Sequence, residues 1–342
     1  MAPIDLLHRL KSLKSLYSKE SPKHEPAIAP RLAAVLSILF TIIYVLPFYL
    51  SKATRPSPQL HRDAPSVIRA RIRAVWTSCI LTSILTLYVI IQHGHAEPLD
   101  ALKLLGWWPI APLEIGKALL LVSILFIGPL FERGIAEGEW RHWLKGHYIS
   151  EVLGAWIGWR NFVAGPITEE LLFRSLLIPL HLLSHHSPLR TTLLTPLYFG
   201  IAHIHHFYEF RLTHPHTPAL KALARSLFQF AYTSLFGVFA AFLFIRTGSL
   251  WPCILAHTFC NWMGLPRMWG RVGVEAGVPL GPPDVRGEGK RDDRRSGRER
   301  IEDEGLGVGW TMTYYALLVA GAWGFWFALW PLTESTNALA YF

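Results

Sequence analysis

Two adjacent glutamates and an arginine, Glu169, Glu170 and Arg174, sit in the stretch GPITEELLFRS, with long apolar runs on either side. An ionisable group inside such a run costs roughly 2.5–3.5 kcal/mol on membrane insertion scales, so each one asks for a purpose. On a helix Glu170 and Arg174 share one face at i, i+4 and can pair. Glu169 points about 100° away, on the side of Phe173. One carboxylate is then neutralised locally while the other stays available to take a proton. Pro166 suits the first turn of a helix, which places both carboxylates near its positive end. The plainer reading of the same residues is a salt-bridged helix entry at a membrane surface.

Two further polar pairs repeat the one-turn spacing. In FGIAHIHHF, Phe199 and His203 share a face, with His205 and His206 following near the end of the segment as interfacial or supporting residues. In HTFCN, His257 and Asn261 do the same, and both can donate hydrogen bonds to a developing oxyanion. Alone, each pair reads equally well as helix–helix hydrogen bonding. Together, an acid, imidazoles and a carboxamide fit metal-free hydrolysis: a carboxylate and a histidine draw a proton from water while a second histidine and an amide hold the carbonyl oxygen. The competing chemistry is a zinc site built from Glu169, His203 and His257, since these residue types are also zinc ligands.

The elements that must position these groups are membrane helices. The chain has 342 residues, 51% hydrophobic and only 17% charged, where soluble domains carry nearer a quarter. Runs at roughly 31–51, 72–92, 115–131, 223–246 and 310–332 reach the length of about 17–25 residues that crosses a bilayer. Weaker runs with polar inclusions cover 147–164, 166–184, 189–207 and 249–264. None alternates like a barrel strand, so the expected fold is all-α, a polytopic membrane bundle of about eight transmembrane helices. The expected organisation is a basic tail over 1–30, a catalytic bundle over 31–266, a charged loop over 267–309, and a last helix with a short tail over 310–342. The loop, rich in Gly, Pro and mixed charge, has too little apolar surface to order itself. Leu6, Leu10, Leu13 and Tyr17 recur at helical spacing among Arg9, Lys11, Lys14 and Lys19, which fits a basic helix on an anionic surface or a solvated tail. Lysines, arginines and prolines interrupt any cleavable signal peptide there.

The net charge of +9 does not point to nucleic acid, because the basic residues flank membrane runs, where they set orientation. Cys79, Cys253 and Cys260 form no disulfide framework; the latter two read as small core residues. No HExxH, paired CxxC or P-loop is present.

EELLFR, FGIAH and HTFCN resemble, in order, the EExxxR, FxxxH and HxxxN motifs of the CAAX prenyl endopeptidases, in their eukaryotic type II form, within the abortive-infection superfamily of intramembrane glutamate proteases. The likeness is strong over roughly residues 115–265 and rests on hydropathy elsewhere. It implies a multi-pass enzyme of the endoplasmic reticulum that removes the last three residues of farnesylated or geranylgeranylated CAAX proteins such as small GTPases, with no metal or cofactor. It also implies that Glu169 is the base, that His203 helps to activate water, and that His257 and Asn261 form the oxyanion hole. Glu170 and Arg174 support the site by pairing, and Phe199 completes the second motif. A prenyl chain partitions into lipid at about 0.8 kcal/mol per buried methylene, which favours an enzyme that meets its substrate in the bilayer. The rivals are a protease of the same superfamily with a non-prenylated substrate, and a transporter or scaffold whose polar residues line a pathway. No internal repeat supports the transporter.

Overall fold

The computed structural model describes residues 25–57, 62–273 and 306–342. The expected basic helix near the N-terminus, and all but the ends of the expected charged loop, lie outside these residues. The described residues are helical, without a strand. Four helical segments among them are long and apolar enough to cross a bilayer: Pro30–Leu50, Pro65–Gln92, Ala219–Thr247 and Val308–Thr333. A fifth span arises if Pro112–Leu125 and Ile127–Ala136, bent by 80° to one another, count as one. These are the five strong runs of the sequence, and the protein is a multi-pass helical membrane bundle. The weaker runs form shorter pieces, three of them broken: His147–Gly154 with Trp156–Trp159, Gly165–Glu170 with Leu171–Leu176 and Leu177–Leu183, and Pro188–Ala202 with His205–Thr213. The fourth is the single helix Leu250–Met263.

The chain forms two compact units. The first contains residues 1–115, 167–254 and 333–342, within the described range. Its core joins Phe40, Tyr44, Cys79, Ile90, Leu172, Phe173, Leu176, Leu180 and Phe199. Pro188–Ala202 and Ala219–Thr247 approach closely because glycines remove the side chains between them. A Cβ on Gly237 would stand 2.8 Å from Pro196 Cβ, and one on Gly200 would stand 2.9 Å from the Phe230 ring. Lipid supplies no hydrophobic drive for one helix to join another, so such small-residue contacts carry much of the association. The C-terminal segment closes this unit: Leu339 N–H donates to Ile245 O at 2.8 Å and Arg246 Nε to Thr333 Oγ1 at 3.2 Å.

The second unit contains residues 116–166 and 255–332. Its bend follows from Pro129, which cannot donate to the carbonyl of Leu125, the residue where Pro112–Leu125 ends. The turn from Phe131 to Ala136 is then π-helical. Val308–Thr333 packs on this region through Gly128, whose Cβ would lie 3.1 Å from Leu318 N, and Gly321, whose Cβ would lie 2.6 Å from Ile124 O. Its other face exposes Trp323, Trp326 and Phe327, as a lipid-facing helix should. Inside the unit, Arg267 Nε meets Glu132 Oε1 at 2.6 Å and Tyr314 Oη donates to Arg267 O at 3.1 Å. Glu132 thereby lies buried with its charge paired.

Gly237→Val should disrupt the Pro196 contact and destabilise the protein by about 1–3 kcal/mol, read as a lowered thermal unfolding midpoint in detergent. An unchanged midpoint would mean that the close approach contributes nothing.

Candidate active site

Glu169 and Glu170 end the helix Gly165–Glu170, and Arg174 lies in the π-helical turn Leu171–Leu176 that follows. The wider turn keeps the expected pairing: Arg174 Nε lies 3.1 Å from Glu170 Oε2, with side chains 2% and 0% exposed. Such local π-turns concentrate at functional sites because they re-aim side chains without ending the helix. The two terminal nitrogens of Arg174 have no hydrogen-bond partner among the described residues. Its guanidinium lies instead over the rings of Phe199, 4.4 Å from the centroid, and Phe236, at 5.5 Å. Two aromatic faces therefore supply part of what water would supply. Glu169, by contrast, is half-buried. One carboxylate is locked and its neighbour faces a different environment, as the helical spacing requires.

Pro166 lies in the first turn of the helix Gly165–Glu170, as expected, but that helix end is not an open one. A π-helical turn, Arg160–Ala164, precedes Gly165 directly, and the Gly165 N–H already donates to Arg160 O. That end is therefore partly satisfied by backbone, and the dipole acts on the carboxylates less than an open helix start would.

His203 closes the helix Pro188–Ala202. Its Nδ1 lies 2.8 Å from Phe199 O; a carbonyl only accepts, so the neutral ring carries its proton on Nδ1 and its lone pair on Nε2. The ring also packs edge-on against Phe199 with centroids 4.6 Å apart. Phe199 thus touches both His203 and Arg174, which brings the first two motifs into contact. Thr168, next to Glu169, is held from two sides: Tyr44 Oη lies 3.0 Å from its hydroxyl and the Cys79 thiol donates to its carbonyl at 3.6 Å. Tyr44 and Thr168 escaped the sequence analysis, because a tyrosine and a threonine in separate apolar runs carry no local signal.

His257 and Asn261 share a face of Leu250–Met263, and both belong to the second unit. Asn261 donates through Nδ2 to Asn161 O at 2.9 Å, and one turn earlier Thr258 donates to Phe162 O at 3.0 Å. These bonds fix the carboxamide of Asn261 and leave its second N–H pointing elsewhere. His257 is buried. Cys253 is buried and Cys260 half-buried, neither in a disulfide; the former is the small core residue expected, the latter only partly so.

His205 and His206 open the helix His205–Thr213. Together with Glu209 they form a group whose ligand atoms lie within 4.8 Å of one another, close enough for one metal ion. The surroundings disfavour a cation there. Arg71 Nη2 already lies 2.7 Å from Glu209 Oε1, Arg62 Nη1 lies 3.4 Å from Oε2, and His206 Nδ1 lies 3.1 Å from the same Oε2. Burial by itself pushes the Glu209 carboxyl up, but the His206 hydrogen bond and the two arginines outweigh it and hold the group well below the usual carboxylate range.

The family profile described as "Type II CAAX prenyl endopeptidase Rce1-like" matches residues 151–263, a span that contains all three motifs. The chain is 38% identical to "Probable CAAX prenyl protease 2" of Schizosaccharomyces pombe over 241 residues, 70% of this chain and 83% of that protein. It is 33% identical to the human "CAAX prenyl protease 2" over 75% of this chain and 80% of the relative. The chain belongs to the type II CAAX prenyl endopeptidase family. "CAAX prenyl protease 2" of Saccharomyces cerevisiae is 30% identical over 83% of this chain and 90% of its own length. No solved structure matches the chain.

Two outcomes test this geometry. Glu170→Ala should cost about 3–5 kcal/mol by leaving Arg174 charged and buried; a thermal midpoint within about a degree of wild type would contradict the pairing. The folded Glu209 carboxyl titrates below its unfolded value of 4.5, so its contribution to stability is complete above that value and is lost as the pH falls below it. Acidification from about pH 7 to about pH 3 should therefore lower the unfolding midpoint of wild type more than that of Glu209→Gln. Equal losses would show that Glu209 is not the titrating group.

Proposed function

We propose that this membrane-embedded CAAX prenyl endopeptidase cleaves with a water activated by Glu169 and His203, releasing the C-terminal tripeptide of prenylated CAAX proteins. Glu169 takes the water proton, and the resulting hydroxide attacks the carbonyl carbon of the prenylated cysteine. His257 and Asn261 donate to the carbonyl oxygen as it becomes an oxyanion. The proton held by Glu169 passes to the departing amine, the peptide bond breaks, and the prenylated protein keeps a new terminal carboxylate. Glu170 and Arg174 hold their helix turn and keep the second charge out of the reaction. Small GTPases carrying farnesyl or geranylgeranyl groups are the proposed substrates, and the endoplasmic reticulum membrane is the proposed location.

The observation that carries this reading is the identity to "CAAX prenyl protease 2" relatives over most of their length, with all three motifs inside the family match. The structure supports the division of roles: it pairs Glu170 with Arg174 at 3.1 Å and fixes the tautomer of His203 through Phe199 O. A fixed Nδ1–H leaves Nε2 as the basic nitrogen, which is what a residue assisting proton removal needs.

The test is purified protein in detergent, given a farnesylated CAAX peptide and its unprenylated twin. The farnesylated peptide alone should be cut efficiently, and cleavage of both alike would remove the prenyl assignment. Glu169→Gln should lower kcat by about 10²–10⁴-fold, and Asn261→Ala by about 10²–10³-fold, with unfolding midpoints near wild type. A fully active Glu169→Gln enzyme would overturn the mechanism. Activity abolished by a chelator and restored by zinc would favour the metal chemistry instead.

A further inference from the structure

Resting on the oxyanion role proposed for His257 and Asn261, a further requirement falls on the helix that carries them, Leu250–Met263. Groups that serve a transition state have to be held within about 0.5 Å and 10–20° of their productive geometry. Asn261 sits in the last turn, where a helix frays and its final four carbonyls run out of partners inside the helix. Cys260 O still accepts from Gly264 N–H at 2.9 Å, with Gly264 in the left-handed region at φ 66°. The carbonyl of Trp262, the residue directly after Asn261, is taken by a side chain instead: Arg133 Nη1 donates to it at 2.8 Å.

Arg133 is held in this position by several contacts, all within the second unit. It lies in the π-helical turn Phe131–Ala136, and its guanidinium covers the Trp262 ring, 5.4 Å from the centroid. Its Nη2 donates to Glu139 Oε2 at 3.1 Å, and Glu139 N–H returns a bond to Arg133 O, also at 3.1 Å. Trp143 meets the same Trp262 ring edge-on at 5.1 Å. That approach is open because Gly134 has no side chain; a Cβ there would stand 3.1 Å from the Trp143 ring. The preceding residue, Glu132, grips Arg267 just beyond the helix, Oε1 to Nε at 2.6 Å. Only a planar guanidinium can take a carbonyl with one arm, a carboxylate with the other, and cover an indole with its face. Its charge also meets the negative end of the helix dipole. Asn161 O anchors the carboxamide of Asn261 itself, while Arg133 anchors the backbone beside it. We propose that Arg133 is a positioning residue for peptide cleavage: it fixes the last turn of this helix and so the direction in which Asn261 donates to the oxyanion.

Full-length protein in detergent is assayed on a farnesylated CAAX peptide as wild type, Arg133→Gln, Asn261→Ala and the double variant. Arg133→Gln should lower kcat about 10- to 100-fold with KM within about twofold of wild type, since a misplacement of about 1 Å can cost on the order of 10²-fold. Added to Asn261→Ala, the same change should lower kcat by less than about threefold, as expected of two residues that act as one unit. Arg133→Lys should recover part of the loss, because one donor can still reach Trp262 O. A wild-type kcat in Arg133→Gln, a rise in KM alone, or full additivity with Asn261→Ala would overturn the positioning role. A wild-type kcat in Asn261→Ala would instead overturn the oxyanion reading, and this role with it. Should Arg133→Gln fail to fold, Glu139→Ala loosens the same guanidinium from its other arm. Its kcat should fall about 2- to 10-fold, the scale of one hydrogen bond, and the fall should disappear in the Asn261→Ala background. An unchanged kcat there, or a fall that persists without Asn261, would overturn the proposal.

Discussion

A charge inside an apolar interior must bring its own solvation, and the buried Glu170–Arg174 pair shows how this protein meets that demand. Removing two unit charges from water costs several kcal/mol per ion even after relaxation, and both side chains here are almost wholly enclosed. The pair offsets part of that cost through a 3.1 Å contact. Part of the remainder falls to the rings of Phe199 and Phe236, which face the guanidinium. Phe199 is also the residue whose carbonyl orients His203, so one aromatic side chain and its backbone link the charge pair to the imidazole. A change in how Arg174 is solvated therefore reaches His203 through a single residue.

The same economy recurs wherever a polar side chain needs a fixed direction. His203 uses Phe199 O, Asn261 uses Asn161 O, and Thr258 uses Phe162 O. Within a membrane there is little water to align these groups, so backbone carbonyls serve instead. Regular α-helical turns have few carbonyls to spare, since each is already bonded to the fourth residue on. Helix ends and π-turns release them. Asn161 and Phe162 lie in the π-helical turn Arg160–Ala164, and Phe199 lies near the end of its helix. The departures from ideal helix geometry thus supply the acceptors for these polar side chains.

Glu209 illustrates the alternative, in which charges near the end of a polar helix neutralise one another directly. His206 and two arginines surround one carboxylate. There the inner arginine, Arg71, lies over the Phe48 ring, while the outer one retains access to solvent. It also explains why three potential ligands within 4.8 Å make a poor cation site: the positive charge is already supplied by the chain.

The sequence by itself determined a helical membrane protein, its five strong apolar runs, the three one-turn polar pairs and the Glu170–Arg174 contact. Each of these is set by composition or by a periodicity of a few residues, and such local information survives without the fold. The weaker runs were harder to judge, since proline breaks and π-turns divide stretches whose hydropathy alone reads as continuous. Only the tertiary structure decided that Tyr44 and Cys79 hold Thr168, that Asn261 is oriented by Asn161, and that Arg71 and Arg62 meet Glu209. Those partners lie from about 90 to about 150 residues apart in the chain, and nothing in the spacing of either partner encodes the other. Packing of distant helices brings them together, and packing is a property of the folded chain.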